Sequence, residues 1–222
     1  TYEHIDPAMV GNERLIPMSN QAGQSNLRKR LNAAGIVVDK SDPALGKILE
    51  VIKTREAQGY SYDTAQASFE LLARRELNQS PNFFEVKRYR VSIERRKNKY
   101  NNMISLSEAM VVVKVGDEKK LSVSESMDEN GSDLGPVNAL AKALGKDLGP
   151  FQTIIDDMKL VDFKVRITQG GTDAVTCVVI DSEDSKGRRW ATVGVSANIV
   201  DASFEALLDA INWKLIRDYK PA

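Results

Sequence analysis

Acid–base chemistry in this sequence rests on a single imidazole, His4, in the segment HIDP near the first residue. Asp6 follows it by two residues and could hold the ring in one tautomer, as in a general acid or base. A histidine in a loop close to a chain end is also a common feature with no chemical role. From the segment alone, the second interpretation is favoured.

The motifs of most other site chemistries are missing from the sequence. It has no Cys-x-x-Cys or HExxH spacing for a metal, no Gly-x-Ser-x-Gly nucleophile turn and no Walker-type phosphate loop. The single cysteine, Cys177, lies in the apolar run AVTCVVI, which is typical of a buried strand in a protein of a reducing compartment. We therefore predict a cytoplasmic chain with no cofactor, no metal site and no complete active site of its own.

The charge balance argues against nucleic acid and membranes as partners. Thirty-one basic residues cancel 31 acidic residues, so no net field attracts either one. No apolar run approaches the ~18 residues needed to cross a bilayer. Basic and aromatic residues are mixed in KRYR (87–90) and RRKNKY (95–100), which would suit RNA. A solvated strand face and a charged hairpin loop explain the same residues, and we prefer that explanation.

The first 82 residues have the apolar spacing of short helices separated by breaks. One helix is predicted to begin after the N-cap Ser25 and another near Asp42. A third is predicted from Asp63, with Gln66 as its partner in a capping box. The polar stretch at residues 78–82 marks the main boundary. The predicted segments of the chain are 1–40, 41–82 and 83–222.

Beyond residue 82 the apolar residues alternate, and the same order of elements occurs twice. Each half is predicted to hold three strands and then one helix, which opens at Pro136 in the first half and near Ile199 in the second. The phase of alternation shifts by one residue within the first strand, which predicts a β-bulge. The sequence thus predicts an α/β (α+β) fold of two duplicated βββα units, preceded by a small helical part.

The starts of these two helices are the best candidates for a ligand site. The first turn of a helix presents N–H groups without intrahelical partners and a partial positive charge, which favour a carboxylate. Small residues precede each helix, in NGSDLGP (130–136) and GVSAN (194–198), and let a ligand approach the backbone. An apolar wall would come from Ala139, Leu140, Ile199 and Ala202, and an ammonium group could pair with Asp133, Asp173 or Asp201. This combination suits a small apolar amino acid, and ordinary helix capping explains the same residues.

Several of these segments resemble a known family. GGTDAVT (170–176) and VGVSANIVDAS (193–203) are similar to the allosteric C-terminal domain of 2-isopropylmalate and citramalate synthases, and the citramalate branch is the closer one. GPVNAL (135–140) matches the other helix opening of that domain. The first residues resemble the linker subdomains that follow the catalytic barrel of these enzymes: HIDP (4–7), VGN (10–12) and GQSN (23–26).

The resemblance implies a homodimeric regulatory part of an acyltransferase that condenses acetyl-CoA with an α-keto acid. In that family the reaction takes place on a TIM barrel that holds a divalent metal. The barrel would precede Thr1, so this part alone is expected to be inactive. Segments 1–40 and 41–82 would be linker subdomains, and the remainder would be the allosteric dimerisation domain. The linker residues expected to reach the partner subunit's active site are His4, Asp6 and Asn12.

The resemblance also implies feedback inhibition by an end-product amino acid. Citramalate synthases bind isoleucine, and 2-isopropylmalate synthases bind leucine. GSDLG (131–135) is longer than the Gly-x-Gly-Pro turn common in 2-isopropylmalate synthases, so both effectors stay open. A stand-alone amino-acid-binding dimerisation module is the third interpretation. The predicted effector-binding residues are Asp133, Gly135, Val137, Asn138, Ala139, Thr172, Asp173, Ser196, Ala197, Asn198, Ile199 and Ala202.

Overall fold

A computed structural model of the protein describes Met9 and residues 23–127, 134–169 and 174–220. In these residues three helices are followed twice by three strands and a helix, with a short helix between the two units. The helices are α1 (Gln24–Ala33), α2 (Ala44–Ala57), α3 (Gln66–Glu76), α4 (Pro136–Leu144), α5 (Gln152–Ile155) and α6 (Ile199–Asp218). The strands are β1 (Glu85–Lys97), β2 (Met103–Val115), β3 (Glu118–Glu125), β4 (Lys159–Gln169), β5 (Val175–Glu183) and β6 (Arg189–Ser196). The predicted fold with two βββα units is confirmed.

Each unit folds its three strands into an antiparallel sheet in chain order, β1-β2-β3 in the first and β4-β5-β6 in the second. The turn between β2 and β3 lies at Gly116, whose φ of +57° is readily adopted by glycine. The predicted bulge in β1 is present, because the register with β2 shifts between Val86 and Arg88. The alternation of apolar residues therefore predicted both the strands and their irregularity.

The starts of the first and third helices differ from the predicted ones. The N-cap of α1 is Gly23 and not Ser25, and α3 begins at Gln66 and not near Asp63. The predicted capping box is wrong because the N-cap is Ala65, so Gln66 is the first residue of the helix and not the third. The Gln66 side chain accepts a hydrogen bond at 3.0 Å from Nη2 of the buried Arg30 and donates one at 3.4 Å to the carbonyl oxygen of Asp63. It thus joins α1 to the turn before α3.

The two units share one hydrophobic core between their sheets and the helices α4 and α6. Val111 and Val113 of β2 are buried in it together with Val178 and Ile180 of β5. Helix α4 packs on the first sheet, and α6 packs on the second. Since both helices also contact each other, the two halves of the duplication are joined through their helices.

Helix α6 lies directly on β6 because Gly194 has no side chain. A Cβ at this position would lie 2.0 Å from the carbonyl oxygen of Ala202 and 2.9 Å from the amide nitrogen of Ala206. Ordinary C···O contacts are about 3.3 Å or longer. The small residue at 194 therefore admits the helix of its own chain, and not a ligand.

The other face of the second sheet packs against the helices α1, α2 and α3. Cys177 of β5 and Val193 of β6 are buried in a core with Leu31, Ile48 and Phe69 from these helices. The predicted core position of Cys177 is confirmed, since its side chain is 0% exposed. The second sheet is thus covered on both faces. The division of the chain at residue 82 stays a prediction, and α3 contacts both β6 and α6 across it.

Candidate functional site

The start of α6 is held open by a short network of hydrogen bonds in the segment Ser196–Asn198. The Asn198 side chain caps the helix, accepting a hydrogen bond from the amide of Val200 at 2.9 Å. The amide of Asn198 donates to Oγ of Ser196 at 3.1 Å. Ala197 is exposed, and the Ile199 side chain is 44% exposed. Ser196 and Asn198 therefore act as capping residues that present the first turn of α6 to solvent beside small side chains.

The side of this turn that faces the first unit is covered by Tyr89 of β1. The hydroxyl of Tyr89 on β1 donates a hydrogen bond to the carboxylate of Asp201. Its ring centroid is 4.1 Å from that of Phe204. Burial, and then the hydrogen bond to Asp201, raise the pKa of Tyr89 to about 12, so it stays a neutral donor. An ammonium group would have to compete with this hydroxyl for Asp201.

The start of α4 is the equivalent position in the first unit. Gly135 is its N-cap with φ +91°, a conformation that other residues rarely adopt. Asn138 is fixed by Ser126, whose hydroxyl donates to its Oδ1 at 3.2 Å. Val137 is half-buried against the shared core, and Ala139 is 0% exposed within it. All four predicted residues at this end that the structure describes thus position the helix or pack in the core.

The structure brings the two helices of the predicted site into one core. Ala139 of α4 and Ala202 of α6 are both 0% exposed members of it. The exposed side of the α6 start is formed by Ala197 and Ile199. This arrangement would suit a carboxylate at the first turn of α6 with an apolar side chain beside Ile199. Six predicted site residues lie outside the described part of the chain: His4, Asp6, Asn12, Asp133, Thr172 and Asp173.

The far end of α6 is anchored by buried charges. Nζ of Lys214, which is 2% exposed, lies 3.0 Å from Asp157, 3.0 Å from Asp184 and 2.9 Å from Asp218. Burial alone would raise the pKa of Asp184, but the hydrogen bonds from Lys214 and Arg188 outweigh it and hold this pKa well below its usual range. The cluster fixes the helix whose other end forms the candidate site.

Sequence patterns gave little sign of Tyr89 and none of its role. Tyr89 was predicted as a strand residue of β1 and as part of the basic and aromatic run KRYR (87–90). Its partner Asp201 is 112 positions away, so neither pattern indicated their contact. Among the described residues no group of three acidic, histidine or cysteine side chains is placed to hold a metal ion. No helix in that part of the chain is long and apolar enough to cross a membrane.

Comparison with known families finds a match over most of the chain. Residues 63–215 match the family described as the LeuA allosteric (dimerisation) domain. The matched range begins in the turn before α3 and includes both βββα units except the last three residues of α6.

Comparison with curated proteins finds relatives that extend over nearly the whole chain. The (R)-citramalate synthase of Aquifex aeolicus is 41% identical over 222 residues, 98% of this chain and 40% of that protein. The (R)-citramalate synthase of Geobacter sulfurreducens is 42% identical over 217 residues, 97% of this chain and 39% of that protein. The 2-isopropylmalate synthase of Methanocaldococcus jannaschii is 29% identical over 220 residues, 99% of this chain and 39% of that protein. The chain spans about two fifths of the length of the curated relatives it matches.

Proposed function

The chain belongs to the LeuA allosteric (dimerisation) domain family, and from this premise we propose that it is the amino-acid-sensing part of a citramalate synthase. The whole protein would be an acyltransferase that condenses acetyl-CoA with an α-keto acid. Relatives named (R)-citramalate synthase support this choice, since they are 41–42% identical, against 29% for a 2-isopropylmalate synthase. The divalent metal of the reaction would belong to the barrel, and no residue of this chain is assigned to it.

The proposed effector is isoleucine, and the proposed assembly is a homodimer. The observation that carries the binding role is the start of α6, where a capped first turn stands beside exposed Ala197 and Ile199. Its N–H groups and partial positive charge suit the effector's carboxylate, and Ile199 suits a branched side chain. His4, Asp6 and Asn12 are proposed to act in the partner subunit's active site of the whole enzyme.

Feedback inhibition requires that isoleucine bind one arrangement of the dimer better than another, because equal affinity would shift nothing. Helix α3 contacts both α6 and β6, so a shift of α6 has a packed route to the linker helices. Inhibition would follow if the arrangement favoured by isoleucine withdrew the linker residues from the partner's active site.

Isothermal titration of the chain with isoleucine tests the binding role. We expect saturable heat, and at a ligand concentration of 100 Kd a stabilisation of about 2.7 kcal/mol. For a chain of this size that corresponds to an increase in Tm of about 5–10 °C. Isoleucinamide, which lacks the carboxylate, is the matched control and is expected not to bind.

Leucine in the same titration separates the two effectors. A clear preference for leucine would move the assignment to a 2-isopropylmalate synthase, a possibility that the 29% identical relative supports. Neither heat nor stabilisation with isoleucine or leucine would refute the sensing role.

A further inference from the structure

The carboxylate of Glu205 on α6 joins the turn between α2 and α3 to the strand that leads into the candidate site. Its Oε2 accepts a hydrogen bond at 3.0 Å from the amide of Val195, next to Ser196. Both its oxygens lie 2.8 Å from the hydroxyl of Tyr60, in the turn between α2 and α3. Arg55 in the last turn of α2 approaches it at 3.7 Å. A separate link is made by Ser68 of α3, which accepts a hydrogen bond from the amide of Val193 at 3.0 Å and donates one to Asp209 at 2.7 Å.

The Tyr60 turn is also pressed against the second sheet. Gly59 has φ +105°, and a Cβ there would lie 2.6 Å from Oγ1 of Thr168 on β4. The same hydroxyl donates to the carbonyl oxygen of Val175 at 3.1 Å. Thr168 and Val175 are close in sequence to Thr172 and lie on either side of it. The turn therefore contacts Thr168, which precedes the motif at 170–176, and Glu205, which follows the motif at 193–203. The effector site was predicted from these two motifs.

Polar and aromatic contacts keep this junction in one geometry. The guanidinium of Arg55 lies 5.1 Å from the ring centroid of Tyr60. Burial, and then the hydrogen bond to Glu205, raise the pKa of Tyr60, so it is a neutral donor at physiological pH. A hydrogen bond to a carboxylate is among the stronger ones in proteins. Glu205 itself lies two turns from the start of α6, and the contact at Gly194 prevents this part of the helix from sliding on β6.

We propose that Tyr60 and Glu205 form the relay by which occupation of the effector site is read by the helical linker. The inference rests on the proposed function and adds the residues that carry the signal. A ligand at the first turn of α6 would move or stiffen the end of β6 and the helix together. Because the Tyr60 hydroxyl is held by the same carboxylate as the Val195 amide, α2 would follow. Both residues are positioning residues and do not contact the effector.

The relay is tested with the variants Tyr60→Phe and Glu205→Gln in the 222-residue chain. Each nearly keeps the shape of the side chain. Tyr60→Phe removes the hydrogen bond, and Glu205→Gln weakens it by removing the charge of the acceptor. Tyr100→Phe is the matched control, because it is the same change at a tyrosine that is 71% exposed on the β1–β2 turn. Isoleucine affinity is measured by titration calorimetry, and amide hydrogen exchange is followed in residues 44–58 with and without isoleucine.

In the unaltered chain and in Tyr100→Phe, isoleucine is expected to slow exchange in residues 44–58 at least fivefold. In Tyr60→Phe and Glu205→Gln the slowing should fall below twofold while Kd changes less than threefold. The affinity for isoleucine should change little because α2 is rarely open, either with or without bound isoleucine. A purely structural role would speed exchange equally with and without ligand and leave the fivefold ratio intact.

Three results would overturn the relay. If the unaltered chain binds isoleucine but exchange in residues 44–58 does not respond, the linker does not read the site. An unchanged fivefold ratio in Tyr60→Phe and Glu205→Gln would show that the signal travels by another route. In both cases the sensing function would stand. If the unaltered chain binds neither isoleucine nor leucine, the proposed function fails and the relay fails with it.

Discussion

Replacing Gly194 with alanine adds one methyl group at the closest contact between β6 and α6. The φ of Gly194 is outside the left-handed region, so the effect is steric and not conformational. The new Cβ would lie 2.0 Å from the carbonyl oxygen of Ala202 and 2.9 Å from both the Ala206 amide nitrogen and the Glu205 Cβ. Two of these three atoms belong to the backbone and cannot rotate away.

The size of the effect follows from the displacement that these contacts require. Relief of the contact with Ala202 to about 3.3 Å requires that α6 move from β6 by more than about 1 Å. Overpacking of this kind costs about 1–3 kcal/mol, and contact with a helix backbone places Gly194→Ala at the upper end. For a chain of this size, about 3 kcal/mol corresponds to a decrease in Tm of about 6–12 °C.

Thermal and urea denaturation measure the loss of stability in Gly194→Ala, and a control variant is expected to gain stability. Gly46 lies in α2, where the nearest atom to an added Cβ is 3.8 Å away, so Gly46→Ala should stabilise the chain by about 0.5–1 kcal/mol. Isoleucine affinity should fall at least tenfold in Gly194→Ala, because the first turn of α6 is displaced, and should be unchanged in the control. A Tm of Gly194→Ala within 1 °C of the unaltered chain would refute the placement of α6 on β6.

The buried charges at the other end of α6 give two further predictions. Lys214→Met leaves Asp184 without its buried ammonium partner and should lower the free energy of unfolding, measured in urea, by about 3 kcal/mol. The control Lys47→Met removes an exposed pair with Glu76 at 2.9 Å and should lower it by less than about 1 kcal/mol. Equal losses in the two variants would contradict the burial of this cluster. Because the pKa of Asp184 is depressed in the folded chain, its contribution to stability is present above its unfolded pKa of about 3.9 and is lost as the pH falls below that value. Urea midpoints measured from pH 6 to pH 3 should therefore fall less steeply in Asp184→Asn, and parallel curves would show that Asp184 keeps an ordinary pKa.

The proposed sensing site lies at the start of α6, and buried charges anchor the other end of this helix. Lys214 and its three carboxylate partners hold the end of α6, while its start is formed by the short capped segment Ser196–Asn198. Glu205 lies between these two ends and binds Tyr60, while Asp209, one turn further along α6, binds Ser68 and Arg75 of α3. A displacement of the start of α6 would act on Tyr60 through the Glu205 carboxylate.

Local patterns predicted the order of the strands and main helices but not the short helix α5. Period-two alternation predicted the strands of both units and the bulge in β1, and the helical spacing after Pro136 and near Ile199 predicted α4 and α6. These signals are strong because they depend on neighbours within a few residues, and because one face of each element is buried. The family could likewise be inferred, since its motifs are short and occur in order along the chain.

Contacts between residues that are far apart in the sequence could not be predicted from such patterns. Gln66 accepts a hydrogen bond from Arg30, 36 positions away, and Gly194 admits a helix of its own chain. The bond from Tyr60 to Glu205 crosses 145 positions. No local periodicity carries this information, because the free energy of these contacts depends on which surfaces are buried together after the sheets and helices pack. The amino-acid pattern determined which elements form and which family they belong to, and their packing decided which side chains meet at the start of α6.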